Sequence, residues 1–159
     1  MMVLLDGLYA NGPVIERCLS YHWQFMIVLK DGSLPSVWDE YHGLLRIERN
    51  NEHRQAWHER QQHFRWVNGI RYEYAANNSK HLTLNVVVCH ETWQELDKNA
   101  QDVTSESKHA WLSSRPLRAD NVHERCNLGG RHRWGIETGF LVEKHQGPAR
   151  GTTGRPSCR

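Results

Sequence analysis

Residues 2–32, MVLLDGLYANGPVIERCLSYHWQFMIVLKDG, decide the fold class, because two short apolar runs flank a segment with helix-start chemistry. The first run has the length and composition of a buried strand and stops at Asp6. Asn11 or Gly12 then offers a helix cap, and Pro13 falls in the first turn, where a fixed φ and a missing N–H cost nothing. WQFMIVL is a second buried run, closed by the Asp31-Gly32 turn pair. Neither strand alternates between apolar and polar residues, so both sheet faces must be covered, and the order predicts a parallel β-α-β unit in an α/β protein. Asp6 is thereby placed at the crossing from strand to helix. Aspartates there cap turns, and α/β sheets also open their binding crevices there.

Further along, Ser33 and Pro35 open a helix with Val37, Tyr41, Leu44 and Leu45 on its apolar side. The polar stretch 50–62 fits neither period. From Phe64 the period becomes two, with Phe64, Trp66, Ile70, Tyr72 and Tyr74 answered by Leu82, Leu84, Val86 and Val88, which predicts a hairpin with one buried face. HAWLSS adds a short strand, and residues 119–144 read as a helix interrupted at Gly129-Gly130. One domain over residues 1–147 is the expectation at this length, with 148–159, rich in Gly, Pro, Thr and Arg, as a disordered tail.

The net charge of +2 is small, but residues 108–159 carry ten Lys and Arg against four Asp and Glu, leaving the rest of the chain at −4. A basic C-terminal half suits a phosphate-facing surface as well as a solvated one. Cys18, Cys89, Cys126 and Cys158 form no C-x-x-C pair, and no run is long enough to span a bilayer, so the expectation is a cytoplasmic protein with free thiols and no membrane partner. His58 and His63 are five residues apart, one too many for two zinc ligands on one helix face.

Arg133, Glu137 and Lys144 form R-x3-E-x6-K. At about 100° per residue, Glu137 lies roughly 40° and Lys144 roughly 20° from Arg133 around a helix, so the three share a face. Such a face holds either an intrahelical ion pair or a metal-binding carboxylate with phosphate-binding neighbours.

DGLYANGPVIERC and RHRWGIETGFLVEK together resemble the second-aspartate segment and the C-terminal signature of bacterial insertion-sequence DDE transposases, specifically the insertion-sequence-four type with its Y-x2-R-x3-E-x6-K signature. WVNGIRYEY, LTLNVVVCHETW and AWLSSRPL resemble that family's β-rich insertion and the strand after it. The resemblance implies a partial RNase H-like fold with an antiparallel insertion and a C-terminal catalytic helix. It further implies DNA strand cleavage and transfer by carboxylates holding two Mg²⁺, or Mn²⁺, ions. Asp6 and Glu137 match the second and third catalytic carboxylates and metal ligands; Arg133 and Lys144 match groups that bind DNA at the element ends. The implied partners are element-end and target DNA, with a homodimer or an association with full-length transposase. Gly130 stands where the signature has Tyr, and the family's first aspartate falls on a strand before Met1. The expectation is therefore a truncated transposase, inactive alone, or a non-catalytic DNA-binding or transposase-inhibiting fragment.

Overall fold

The computed structural model describes residues 1–131. The β-α-β unit is present as β1 (Met2–Leu5), α1 (Gly12–Ser20) and β2 (Gln24–Val28), with Met2 beside Gln24 and Leu5 beside Ile27 in a parallel pair. α1 begins where the sequence places it. The Asn11 side chain accepts the Val14 N–H at 3.1 Å, and Pro13 lies in the first turn. The second helix, α2 (Pro35–Leu45), also opens on proline, but its cap residue is Leu34 instead of the expected Ser33. Leu34 holds a left-handed φ of 49° and makes no side-chain capping bond. The ring of Pro35 disfavours right-handed helical geometry at the residue before it, which fixes the start.

Four antiparallel strands follow: β3 (Glu52–Trp57), β4 (Arg60–Tyr74), β5 (Lys80–Leu96) and β6 (Asp102–Ser113). The polar stretch that fitted neither period thus supplies β3 and the turn into β4, and HAWLSS lies within the longer β6. The sheet order is β1-β2-β6-β5-β4-β3, parallel at β1–β2 and antiparallel elsewhere, so the described residues form a mixed α/β structure with a six-stranded mixed sheet. Among the described residues no helix is long and apolar enough to cross a membrane.

Both faces of the sheet are covered, as the two apolar strands require. On one face Ile15 and Cys18 of α1 and Val37, Trp38 and Tyr41 of α2 pack on Phe25, Ile27, Val86 and Leu112. On the other, Leu117, Val122 and Cys126 meet Met26, Trp66, Val87 and Trp111. Cys126 belongs to a π-helix, Glu124–Gly130, which replaces the α-helix expected there and ends at the predicted interruption. Close approach explains the glycine pair: a Cβ at Gly130 would stand 2.9 Å from Trp111 Nε1. β2 feeds both cores through alternate residues, and each such large apolar side chain contributes roughly 1.5–3 kcal/mol when buried.

The period-two pattern from Phe64 does not keep to one face, which corrects the hairpin expectation. Phe64 and Trp66 belong to the π-helix side, whereas Val67, Ile70 and Tyr72 belong to the α-helix side. Between them Val67 pairs with Val86 and Ile70 with Leu84, so Asn68 and Gly69 together oppose Asn85. This β-bulge, with Gly69 at φ 74°, inverts the side-chain parity of β4. Side chains satisfy the displaced backbone. Gly69 N–H donates to Asn85 Oδ1 at 3.1 Å, and Asn68 exchanges bonds of 2.9 and 2.8 Å with the backbone of Leu117.

At the other end of β4, Tyr74 covers the start of α1 so closely that a Cβ on Gly12 would lie 2.3 Å from Tyr74 Cδ2. Gly12→Val is expected to destabilise the protein by about 1–3 kcal/mol through forced displacement of that ring. Urea denaturation checks this, and the penalty should shrink in a Tyr74→Ala background.

Candidate functional site

Asp6 stands immediately after β1, in extended backbone geometry, and its carboxylate accepts the N–H of Gly7 at the head of the 3-10 turn Gly7–Tyr9. It therefore caps a turn, as an aspartate in this position commonly does. It also lies at the C-terminal end of a parallel strand pair, where α/β sheets open their crevices. Lys30, just past the end of β2, folds over the same turn. A Cβ on Gly7 would lie 2.9 Å from Lys30 Cε, so glycine there lets the lysine stem approach. A cavity of about 320 Å³ opens at this end of β2 and β6, with Lys30, Asp31, Lys108 and His109 in its wall. Lys108 Nζ bonds Asp31 Oδ1 at 2.8 Å and lies 4.9 Å above the Trp38 ring. Lysines beside a strand-end carboxylate can hold a phosphate in place near it.

Arg133, Glu137 and Lys144 lie outside the described residues, as does the 148–159 tail. Among the described residues no three His, Cys, Asp or Glu side chains are gathered to hold a metal ion. The carboxylate of Asp6 suits a hard cation such as Mg²⁺ in kind, and a site of adequate ligand number needs further carboxylates beside it. His63 is in β4 and pairs with Glu52 across the hairpin at 2.8 Å, which gives it a structural role. Cys18, Cys89 and Cys126 are free and buried; burial pushes the Cys89 thiol up to about 12, so none of the three is poised as a nucleophile.

The most strongly organised polar cluster escaped the sequence reading. Glu91 of β5 is completely buried. Arg60 Nη1 donates to its Oε2 at 2.7 Å, Gln62 Nε2 donates to its Oε1 at 2.7 Å, and Arg131 Nη2 donates to Oε1 as well. Gln62 and Asn127 of the π-helix exchange amide hydrogen bonds of 2.9 and 2.8 Å. The side-chain amide nitrogens of Asn127 and Gln55 lie 2.9 and 2.8 Å from His123 Nδ1. Two cations are stacked at the rim, Arg60 at 4.0 Å over Trp93 and Arg131 at 4.8 Å over Trp57. Burial alone would raise the Glu91 pKa, but the bonds from Gln62 and Arg60 and the charge of Arg131 outweigh it and hold the carboxyl below its usual range. His109 approaches Glu91 Oε2 at 3.8 Å, yet burial, reinforced by the charge of Arg131, lowers its pKa to about 4. It is a neutral neighbour at pH 7. A lone glutamate between Cys89-His90 and Thr92 gives no sequence signal of such a role.

Set beside protein-family models and curated proteins, the chain matches none of them.

Glu91→Gln is expected to destabilise the protein by about 3 kcal/mol, the lower end of the range for stripping a buried pair of one partner, because Arg60 keeps some access to water. A cycle with Arg60→Met, read by urea denaturation, should show strong coupling. His109 and Glu91 also set an acid limit. Both have depressed pKa values in the fold, so the unfolded chain binds protons first, and stability is full above about 6.5 and falls as pH drops toward 4. Denaturation midpoints at pH 7 and pH 4.5 should differ, and His109→Gln should remove much of that difference.

Proposed function

We propose that the chain is part of a DNA strand cleavage and transfer enzyme of the DDE transposase type, built on an RNase H-like sheet. Asp6 and Glu137 are two of its three carboxylates, and Arg133 and Lys144 contact DNA phosphates. The observation that carries this reading is the position of Asp6: it directly follows the first strand of a parallel β-α-β unit, with Lys30 folded over the adjoining Gly7. Two further features support it. The antiparallel extension β3–β6 comes after β2 and α2 in the chain, where the resemblance puts the β-rich insertion. β1 forms one edge of the described sheet, the side on which a strand bearing the first aspartate would pair.

In this reading the carboxylates of Asp6 and Glu137 would hold Mg²⁺, whose chemistry is to stabilise the attacking and leaving oxygens of an in-line phosphoryl displacement. The chain's own residues orient the phosphate. Asp6 is held by its bond to Gly7, and Lys30 and Lys108 draw the DNA backbone toward the strand ends. Two carboxylates where the chemistry uses three bind metal weakly. Assayed by themselves, residues 1–159 are therefore expected to show little strand transfer. The non-catalytic alternative is a fragment that binds DNA or inhibits a complete transposase.

Supercoiled DNA carrying matched element ends, incubated with the chain and Mg²⁺ or Mn²⁺, is expected to be bound and to stay uncut. Nicking abolished by Asp6→Asn and by Glu137→Gln would keep the site assignment and correct the inactivity. Nicking indifferent to both substitutions, or no binding of DNA at all, would sink the reading.

A further inference from the structure

Part of the excess positive charge in the C-terminal half converges on one place. Arg115, Arg118 and Arg125 line a cavity of about 450 Å³ with Gln24, Asn121 and Glu124. We propose that this cavity is a second DNA-phosphate site, apart from the Asp6 crevice, in which Arg115 and Arg118 grip a phosphodiester above the fixed charge of Arg125. The inference rests on the DNA-binding reading above and extends it to a second contact.

Arg125 is 7% exposed and rigidly held. Its Nε donates to Ser113 Oγ at 2.9 Å, Nη1 to Gln24 Oε1 at 3.3 Å, and Nη2 to the Phe25 carbonyl and Ser114 Oγ at 3.4 and 3.5 Å. Every one of these acceptors is neutral. They orient the guanidinium without cancelling its charge, and in a poorly hydrated wall that charge projects into the cavity. Arg115 makes no ion pair among the described residues, and it is near enough that its charge, after burial, is the next cause lowering the Arg125 pKa. Like charges held this close favour an anion between them.

Arg118 is the exchangeable member. Its Nε meets Asp120 Oδ1 at 3.0 Å, but both side chains are more than two-thirds exposed, and such a pair contributes little. A phosphate can take the place of Asp120. The loop that presents the arginines is preset: Asn121 Oδ1 accepts the Arg118 N–H at 2.7 Å, and its Nδ2 donates to the Pro116 carbonyl at 3.0 Å. Three guanidinium groups against the single carboxylate of Glu124 leave net positive charge in the cavity wall, and guanidinium forks match phosphate oxygens in geometry.

Position separates this site from the Asp6 crevice. Met2 and Gln24, which begin β1 and β2, border the arginine cavity, whereas Asp6 follows the far end of β1. Four strand residues at about 3.3 Å each put the two sites on the order of 13 Å apart. At about 3.4 Å of rise per nucleotide on one strand, that is roughly four nucleotides. A duplex with one phosphate near Asp6 can reach the arginines with another phosphate of its backbone.

Fluorescence anisotropy of the whole chain with a labelled duplex, without divalent metal, between about 50 and 200 mM salt, tests the proposal. Arg115→Gln and Arg118→Gln should each weaken binding evenly across DNA sequences and flatten the log–log salt slope by about 0.9, while Arg118→Lys keeps the wild-type slope. Both side chains are exposed, so melting temperatures should be unchanged. If the wild-type chain binds DNA and both glutamine variants keep its slope, the second site is overturned and the DNA reading stands. If inorganic phosphate displaces DNA better than chloride at equal ionic strength, yet neither substitution changes the slope, phosphate competes with DNA elsewhere on the chain and the second site is again overturned. No DNA binding by the wild-type chain removes both.

Discussion

A carboxylate with no access to water must be neutralised where it stands, and in this protein that requirement ties together parts of the chain that lie far apart in sequence. Glu91 lies in the second half of β5, the longest strand among the described residues, and its partners come from β4 through Arg60 and Gln62 and from the residue after the π-helix through Arg131. The amide pair between Gln62 and Asn127 extends the same network into the π-helix itself. A buried charge costs several kcal/mol unless its lone pairs are filled, so an arrangement that leaves one of these partners out is strongly disfavoured. The cluster thereby selects one register for the segment that closes the second face of the sheet.

The same closing segment is held from below by Arg125, whose guanidinium reaches from the π-helix to Ser113 of β6 and the backbone of β2. β2 is the strand on which both cores depend, and it is also the strand that pairs with β1 and so places Asp6. Packing and site geometry are consequently linked. The alternate side chains of β2 commit the sheet to two covered faces, and covering the second face brings Arg125, Arg115 and Arg118 to the start of the parallel pair while Asp6 and Lys30 occupy its other end. The bulge at Asn68 and Gly69 serves the same architecture, because it lets one long strand give Phe64 and Trp66 to one core and Val67 and Ile70 to the other.

Much of the first third was legible in the sequence, for local reasons. The helix start at Asn11, Gly12 and Pro13 depends on backbone groups within one turn, and the apolar runs around it carry no period that a half-exposed strand would need. The position of Asp6 at the crossing followed from these two facts. The hairpin was legible as strands but not in its facing, since a pattern of even-numbered residues is interrupted by a bulge whose stabilising partners, Asn85 and Leu117, are remote in sequence. The cap of α2 was misread by one residue because Ser33 is a better capping side chain than Leu34, while the steric demand of Pro35 decides the start. The cluster at Glu91 left no trace, for its members are spread from Gln55 to Arg131 and no spacing rule connects them.

The sequence by itself determined the elements: a buried β-α-β unit ending its first strand in Asp6, a second helix, an antiparallel extension, and the residue types of the Arg133, Glu137 and Lys144 signature. These rest on interactions within a few residues, on periodicity and on turn chemistry, all of which are written consecutively along the chain. Only the tertiary structure decided which faces those elements present, that Glu91 is a buried anchor, and that three arginines spaced along a loop and a π-helix share one cavity. Those outcomes depend on desolvation and on charges brought together across the sheet, and such energies exist only once distant segments have met.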